Sequence, residues 1–188
     1  MKNQQMTTNE TIRDEVKRIS KDFSDVPARQ RTKFTGALTI EIVRDRLIRM
    51  GVPVSSRDIY IRGYSSEFDF AVVRDDAEPI YGILYEPKDV AAIIEVKYSG
   101  VYSKEAPETI KQLFDGVRKR NPRIVCVYLS VCENPSIKYR IMPDTLGQDH
   151  HAFTLYWVNW SDKILNTGDS FDSFTATLRN ALQQFRIY

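Results

Sequence analysis

Apolar residues recur at the spacing of an amphipathic helix in several stretches of this 188-residue chain. The spacing predicts helices over residues 11–23, 31–50, 104–120 and 171–185. The helix over 31–50 is apolar on two sides, which predicts that it packs on both sides. Glu41 falls within one of its apolar arcs, beside Ala37 and Leu38, so its carboxylate is expected to need a partner.

Other apolar runs have the short length and the alternation of strands. They predict strands over residues 59–62, 67–74, 90–97, 123–131 and 153–160, with a further strand or an ordered loop over 79–85. Both faces of the 90–97 run begin apolar, which predicts a central strand that is covered on both sides. Within 67–74, alternation places Asp69 on the face opposite Phe68, Phe70 and Val72.

The order of these elements predicts a mixed β-sheet flanked by helices, in the α/β (α+β) class. We expect residues 1–10 to form a flexible N-terminal tail and 11–188 to form a single domain. Residues 133–152 are expected to be loop-like, and this loop includes His150 and His151. No run is apolar over the roughly 20 residues that span a bilayer, and the polar first residues do not resemble a secretory signal.

The composition, with 42% hydrophobic and 28% charged residues, is that of an ordinary globular protein. Cys126 and Cys132 form no CxxC pair, so no zinc cluster is implied; Cys126 is expected to be a buried thiol, and the expected location is cytoplasmic. The net charge of +2 differs from the strongly basic footprint of a DNA-coating protein. Basic residues nevertheless crowd 29–49 and 111–123, either as solvated faces or as a phosphate-binding surface.

The triplet Glu95-Val96-Lys97 closes the most apolar predicted strand. Strand geometry places Glu95 and Lys97 on one face, where buried charges are costly unless they are paired or bound to a metal. If the strand that carries Asp69 pairs with this one, Asp69 and Glu95 can converge on one cation. Two carboxylates, a backbone carbonyl and waters form the oxygen ligand set that Mg²⁺ prefers.

Asp69 followed by Glu95-Val96-Lys97 resembles the PD-(D/E)xK nuclease superfamily, which has the restriction-endonuclease-like fold. The run that includes Thr35-Gly36 and Glu41 and continues to Lys97 resembles an uncharacterised bacterial nuclease-like domain family within it, and the resemblance covers roughly residues 33–130. Two features depart from the pattern: Phe68 stands where a proline is often found before the acidic residue, and the interval between Asp69 and Glu95 is long.

The resemblance implies a metal-dependent endonuclease that hydrolyses phosphodiester bonds, with DNA as the expected substrate. Asp69, Glu95 and the backbone of Val96 would bind Mg²⁺, for which Mn²⁺ would substitute, and Lys97 would assist the attacking water. Glu41 resembles the additional helix glutamate of many superfamily members. The implied partner is nucleic acid, with no membrane, and a homodimer is one option.

Each residue also has a structural interpretation. Lys97 could be a strand-end residue, Glu95 half of a salt bridge, Asp69 an edge-strand residue, and Glu41 a rim carboxylate bound by an arginine. Two other functions therefore stay open: a catalytically idle nuclease-fold subunit that binds nucleic acid or assembles within a defence or repair system, and a structural protein with incidental ion pairs. Gln112 is expected to face solvent, and Tyr64, Tyr98 and Tyr102 are expected near the site, where core or rim packing competes with base stacking.

Overall fold

The computed structural model describes residues 8–22, 25–99, 103–133, 136, 140–159 and 164–186. The helices are α1 Thr8–Lys21, α2 Ala28–Arg49, α3 Ala106–Arg120, the short α4 Pro143–Leu146 and α5 Phe171–Arg186. The strands are β1 Ile59–Ile61, β2 Glu67–Phe68, β3 Phe70–Val73, β4 Leu84–Tyr85, β5 Val90–Ser99, β6 Val125–Glu133, β7 His150–Asn159 and β8 Ile164–Thr167. The expected class is confirmed, since two mixed sheets are flanked by helices.

The larger sheet has the strand order β3-β5-β6-β7-β8. The three middle strands run parallel, and β3 and β8 are antiparallel to their neighbours at the two edges. The smaller sheet, β2-β1-β4, has one antiparallel and one parallel pair. Because β5 lies inside the larger sheet and has a buried run from Val90 to Val96, it is the central covered strand that its composition predicts.

Apolar residues pack in two clusters, and the two faces of β5 contribute to different ones. Ala92, Ile94 and Val96 pack with α1, α2 and α5, whereas Ile93 packs with Phe114 and other residues of α3. The stripe predicted on the last helix is confirmed, because Phe171, Phe174, Leu178 and Leu182 are buried and Phe185 is partly buried. Burial of such side chains contributes about 1.5 to 3 kcal/mol each, so α5 is held mainly by this stripe.

The single strand predicted over 67–74 is wrong in one respect. The chain changes sheets at Asp69, since β2 pairs with β1 in the smaller sheet and β3 pairs with β5 in the larger one. The change reverses the expected alternation: Phe68 packs in the cluster of Ile93, whereas Phe70 and Val72 pack in the cluster of Ile94. Asp69 therefore lies at a junction between strands and not inside one.

Local irregularities account for the other differences in the strands. The register between β3 and β5 shifts between Val72 and Val73, so Val90 and Ala91 exchange the faces that strict alternation predicts. The loop predicted over 133–152 contains α4 and the first residues of β7, although most of 134–139 lies outside the described residues. Strand β8 follows from no alternation in the sequence and was not predicted.

The helices begin and end within a few residues of their predicted bounds. Two details differ from the prediction: the start of α1 and the exposure of Ile48. Residues 1–7 of the predicted tail lie outside the described residues, and α1 already begins at Thr8. Ile48, which was expected on an apolar face of α2, is 53% exposed. None of the described helices combines the length and the apolar character needed to cross a membrane.

Candidate active site

Asp69 is fixed at the point where the chain passes from one sheet to the other. Its Oδ2 accepts a hydrogen bond of 2.7 Å from the backbone N–H of Val96, and its own carbonyl accepts one of 3.0 Å from Asp58. A short bond from a backbone donor to a carboxylate is charge-assisted and holds the side chain in one orientation. The carboxylate is therefore directed at the end of β5.

Glu95 and Lys97 reach the same point from β5. The register pairs Phe70 with Ile94, so Asp69 lies opposite Glu95 as the next position along the two antiparallel strands. The Nζ of Lys97 is 3.3 Å from Asp69 Oδ2 and 3.3 Å from Glu95 Oε2. The two carboxylate oxygens are thus separated by at most twice that distance. The strand that begins directly after Asp69, β3, is the antiparallel neighbour of β5, and both carboxylates contact Lys97; that the two carboxylates lie within reach of one cation stays a prediction.

The cluster holds two carboxylates and one ammonium in a largely buried position. Glu95 is only 7% exposed. Its burial, and next the negative charge of Asp69, raise the pKa of Glu95 to about 7, against the opposing charge and hydrogen bond of Lys97. Burial alone would lower the pKa of Lys97, but the charges of Glu95 and Asp69 outweigh it and raise that pKa. A further positive charge beside Glu95 would favour its ionised form.

The carboxylates suit a cation that takes most of its ligands from elsewhere. Within the described residues, no group of three or more His, Cys, Asp or Glu side chains is arranged to hold a metal ion. Mg²⁺ commonly binds through one or two carboxylates and keeps waters or substrate phosphates as its other ligands. Asp69 and Glu95 would supply that smaller number of carboxylates, and that they hold Mg²⁺ stays a prediction.

Glu41 does not occupy the apolar environment that its helical phase predicts. Its side chain is 48% exposed, and its Oε2 lies 2.6 Å from Arg44 Nη1. Its other oxygen is 3.8 Å from Arg57 Nε, and Arg57 is 2.9 Å from the carboxylate of Asp58. Because the Asp58 N–H donates to the Asp69 carbonyl, Glu41 is connected to the cluster through two intervening residues. The expectation that the Glu41 carboxylate needs a partner is confirmed, and its surroundings are those of a rim carboxylate bound by an arginine; its role at the site stays a prediction.

Arg57 and Asp58 were missed by the sequence reasoning. They stand in the polar run directly before β1, and Asp58 has a φ of 56°, in the left-handed region that aspartate adopts more readily than most residues. A polar run that leads into a strand is also the signature of an ordinary turn, so the sequence gives no reason to single it out.

The basic clusters are partly neutralised by neighbouring acids. Arg46 pairs with Glu15, Arg49 with Asp45, Lys111 with Asp115 and Arg118 with Asp149. Exposed pairs of this kind contribute little to stability and exchange readily for other partners. Helices α2 and α3 therefore present cations to solvent, but with less net charge than the sequence clusters suggest.

The two histidines are not in a flexible loop, because both belong to β7. His150 is 4% exposed, and its Nε2 lies 2.8 Å from Asp115 Oδ1 on α3. Its ring is 5.4 Å from the ring of Phe114. His150 thus has the surroundings of a core histidine that fixes α3 against the sheet. The thiol of Cys126 is buried and free, as expected.

Of the aromatic residues expected near the site, Tyr98 lies next to Lys97 and lines a cavity with it. Tyr64 lies instead against α3, where Arg120 stands 5.2 Å over its ring. Tyr102 lies outside the described residues. Gln112 faces solvent as expected and bonds to Glu108 of the same helix.

Comparisons with known proteins identify the fold. No family model and no curated protein matches the sequence. The structure is similar to that of NucC from P. aeruginosa ATCC27853 in its cAAA-bound form, with a TM-score of 0.57, 10% identity, and coverage of 97% of this chain and 92% of that one. It is also similar to NucC from E. coli MS115-1 in its cAAA-bound form, with a TM-score of 0.55, 12% identity, and coverage of 100% and 93%. The likeness extends over 97% or more of the chain, and at these identities it shows the restriction-endonuclease-like fold alone.

Proposed function

We propose that this protein is a metal-dependent nuclease that hydrolyses phosphodiester bonds in DNA. The observation that carries the proposal is the convergence of Asp69 and Glu95 on the Lys97 ammonium at the end of the central strand. The shared fold supports it, because NucC is a nuclease of the PD-(D/E)xK type. Neither the fold nor the buried charges would suffice separately, since folds host many functions and ion pairs are common.

The residues would divide the work by their chemistry. Asp69, Glu95 and the backbone carbonyl of Val96 would hold Mg²⁺, which when bound supplies charge neutralisation at the phosphoryl oxygens and an acidified water. Lys97 would orient the attacking water and stabilise the negative charge that develops on the phosphate. The Val96 N–H keeps Asp69 oriented through the 2.7 Å hydrogen bond, so this carboxylate needs little reorganisation before it binds a cation.

Glu41 would act at one remove, through a water or a second cation. In the structure it is held by Arg44 and approached by Arg57. Arg57, whose ion pair with Glu41 is the longer and more exposed one, could turn to a phosphate when nucleic acid binds. Arg44 is only 16% exposed and also donates to the Ser55 carbonyl, so it would keep Glu41 in place. A homodimer, which would place two such sites on two strands, is part of the proposal as one option for the assembly.

The test combines cation binding with turnover. Calorimetric titration with Mn²⁺ and cleavage of supercoiled plasmid in Mg²⁺ would be measured for the wild type, Asp69→Asn and Glu41→Gln. Asp45→Asn is a matched control, because it removes the same charge from an exposed acid whose ion-pair partner among the described residues is Arg49. We expect wild type and control to bind Mn²⁺ and cleave, Asp69→Asn to lose both, and Glu41→Gln to keep one bound cation with slower cleavage.

The outcomes separate the candidate functions. Mn²⁺ binding that depends on Asp69, without cleavage of DNA or RNA, would favour the catalytically idle subunit. Equal Mn²⁺ binding by the wild type and Asp69→Asn would favour the third candidate, a structural protein in which these residues form incidental ion pairs. Cleavage of RNA in preference to plasmid would keep the reaction and change the substrate.

A further inference from the structure

A cavity adjoins the carboxylate cluster on the side of the first half of α2. Its volume is about 490 Å³, and Lys97, which contacts both Asp69 and Glu95, forms part of its wall. The lining residues are Ala28, Arg31, Thr32, Thr35 and Gly36 of α2 and Lys97, Tyr98 and Ser99 of β5. A ligand in this cavity would therefore lie next to the proposed reaction centre.

The chemistry of the walls suits a phosphate-bearing ligand. Of the described residues that line the cavity, Arg31 and Lys97 carry positive charge; the charge of Lys97 is offset by Asp69 and Glu95, so Arg31 is the main cation offered to a ligand by these residues. Hydroxyl groups of threonine and serine supply further donors, as they do at many phosphate contacts. The volume falls within the range of about 300 to 1,000 Å³ typical of small-molecule sites, which is enough for a nucleotide unit.

Gly36 keeps the cavity open on the helix side. A glycine inside a helix is less favourable than an alanine, so its presence in α2 invites a reason. A Cβ built on Gly36 would meet no atom within 4 Å among the described residues, whereas one on Gly168 would come within 2.1 Å of the Thr154 carbonyl oxygen. The packing of the described chain thus does not require a glycine at position 36. Thr35 and Gly36 do not contribute to the carboxylate cluster, but both line this cavity.

We infer that the cavity binds one nucleotide of the strand being cut, adjacent to the scissile phosphate. The inference rests on the proposed function and adds a substrate-positioning site to it. Arg31 pairs with a phosphate of the strand, and the space beside Gly36 accommodates a sugar and base. A free nucleotide has the same chemistry. However, Lys97 belongs both to the cavity wall and to the carboxylate cluster, so a nucleotide bound in the cavity would be close enough for the rest of its strand to reach Asp69 and Glu95.

The test fills the cavity without touching the cluster. Gly36→Leu adds a large side chain, Gly36→Ala adds one methyl group, and Gln30→Leu adds the same leucine to an exposed position of α2 outside the cavity wall. Binding of a fluorescein-labelled oligonucleotide would be followed by anisotropy in Ca²⁺, with plasmid cleavage in Mg²⁺, Mn²⁺ titration and thermal melting alongside. Gly36→Gln is a second variant to be used if the leucine lowers the melting temperature.

We expect Gly36→Leu to lose about 10- to 100-fold in oligonucleotide affinity and in kcat/KM, as misplaced substrates do, with unchanged Mn²⁺ binding and melting temperature. Gln30→Leu should bind and cleave like the wild type, and Gly36→Ala should lose less than Gly36→Leu, because its methyl group fills less of the cavity. Wild-type binding by Gly36→Leu and Gly36→Gln would overturn the inference and leave the proposed function intact. If the wild type binds the oligonucleotide without cleaving DNA, and Gly36→Leu loses this binding, the inference would be supported and the nuclease activity refuted. Binding of deoxyadenosine monophosphate that depends on Gly36, with oligonucleotide binding unaffected, would assign the cavity to a free nucleotide and overturn the inference.

Discussion

Replacement of Glu95 by glutamine should stabilise the metal-free protein at alkaline pH. Glutamine has the shape of the protonated carboxylic acid, so the change removes the free energy of ionising Glu95 in its folded environment. That environment raises the pKa from 4.5 to about 7, through burial first and the charge of Asp69 second. At about 1.4 kcal/mol for each pH unit, ionisation in the folded state costs about 3 kcal/mol more than in the unfolded chain. Because Glu95 is 7% exposed, solvent screens little of this.

The pH dependence has a definite sign. Between pH 4.5 and about 7 the folded protein holds a proton on Glu95 that the unfolded chain has released, so stability falls as pH rises through this window. Above pH 7 the full loss of stability is present, and below pH 4.5 there is no loss. Glu95→Gln lacks this slope. Near pH 8 its melting temperature should exceed that of the wild type by about 6 to 12 °C, given about 2 to 4 °C for each kcal/mol in a chain of this size.

Thermal melts in EDTA from pH 4.5 to 8.5 would measure the effect, with Glu108→Gln as a control at an exposed glutamate of α3. Addition of Mn²⁺ at 1,000 times its Kd should reverse the order, because it would stabilise the wild type by about 4.1 kcal/mol, whereas Glu95→Gln would lack a charged ligand. A wild type that is more stable than Glu95→Gln at pH 8 in EDTA would refute the reasoning. The pair with Lys97 would then outweigh burial and the repulsion from Asp69.

Three further predictions concern the lysine, the basic helices and the buried histidine. Lys97→Ala should lower plasmid cleavage by about 10² to 10³-fold while Mn²⁺ titration and melting stay near wild type; full activity would exclude a catalytic lysine, and unfolding would support a structural ion pair. Nucleic-acid affinity should fall steeply between 50 and 200 mM salt, because α2 and α3 would contact phosphates through lysine and arginine; a flat salt profile in anisotropy would contradict this. His150→Ala should lower stability by about 2 to 3 kcal/mol in urea titrations, through the lost ring packing and the lost bond to Asp115, with unchanged Mn²⁺ binding; weaker Mn²⁺ binding would make His150 a ligand.

The elements that the sequence predicts well are those whose burial is one-sided and continuous. The stripes of α3 and α5 are confirmed because each helix covers one face of the sheet, so its apolar positions follow the helical period. The approach of Asp69 and Glu95 to Lys97 was predictable for a related reason, since each is an acid within or beside an apolar strand and must find a partner.

Periodicity fails where the chain changes its surroundings. Alternation across 67–74 cannot reveal that β2 joins the smaller sheet. Apolar and polar residues alternate in the same way whether a strand continues in one sheet or passes into another. Helical phase places Glu41 in an apolar arc of α2. Whether that arc is covered at residue 41 depends on the elements that pack against α2. In the structure the Glu41 side chain is exposed and forms ion pairs with Arg44 and Arg57. Cavities are also absent from the sequence signal, because they arise from distances between elements that are remote in the chain.

The junction at Asp69 makes this residue both a part of the fold and a part of the proposed site. Had β3 continued backwards beside β5, a backbone carbonyl would have met the Val96 N–H; the chain leaves for the smaller sheet, and Asp69 Oδ2 accepts that hydrogen bond. Asp69→Ala should therefore cost about 1 to 3 kcal/mol for the N–H left without an acceptor, in addition to the loss of cation binding. Asp69→Asn keeps an acceptor oxygen, so it should lose Mn²⁺ binding and cleavage with a smaller loss of stability. Urea titrations of both variants measure the difference, and equal stabilities would show that the Val96 hydrogen bond contributes nothing at the junction.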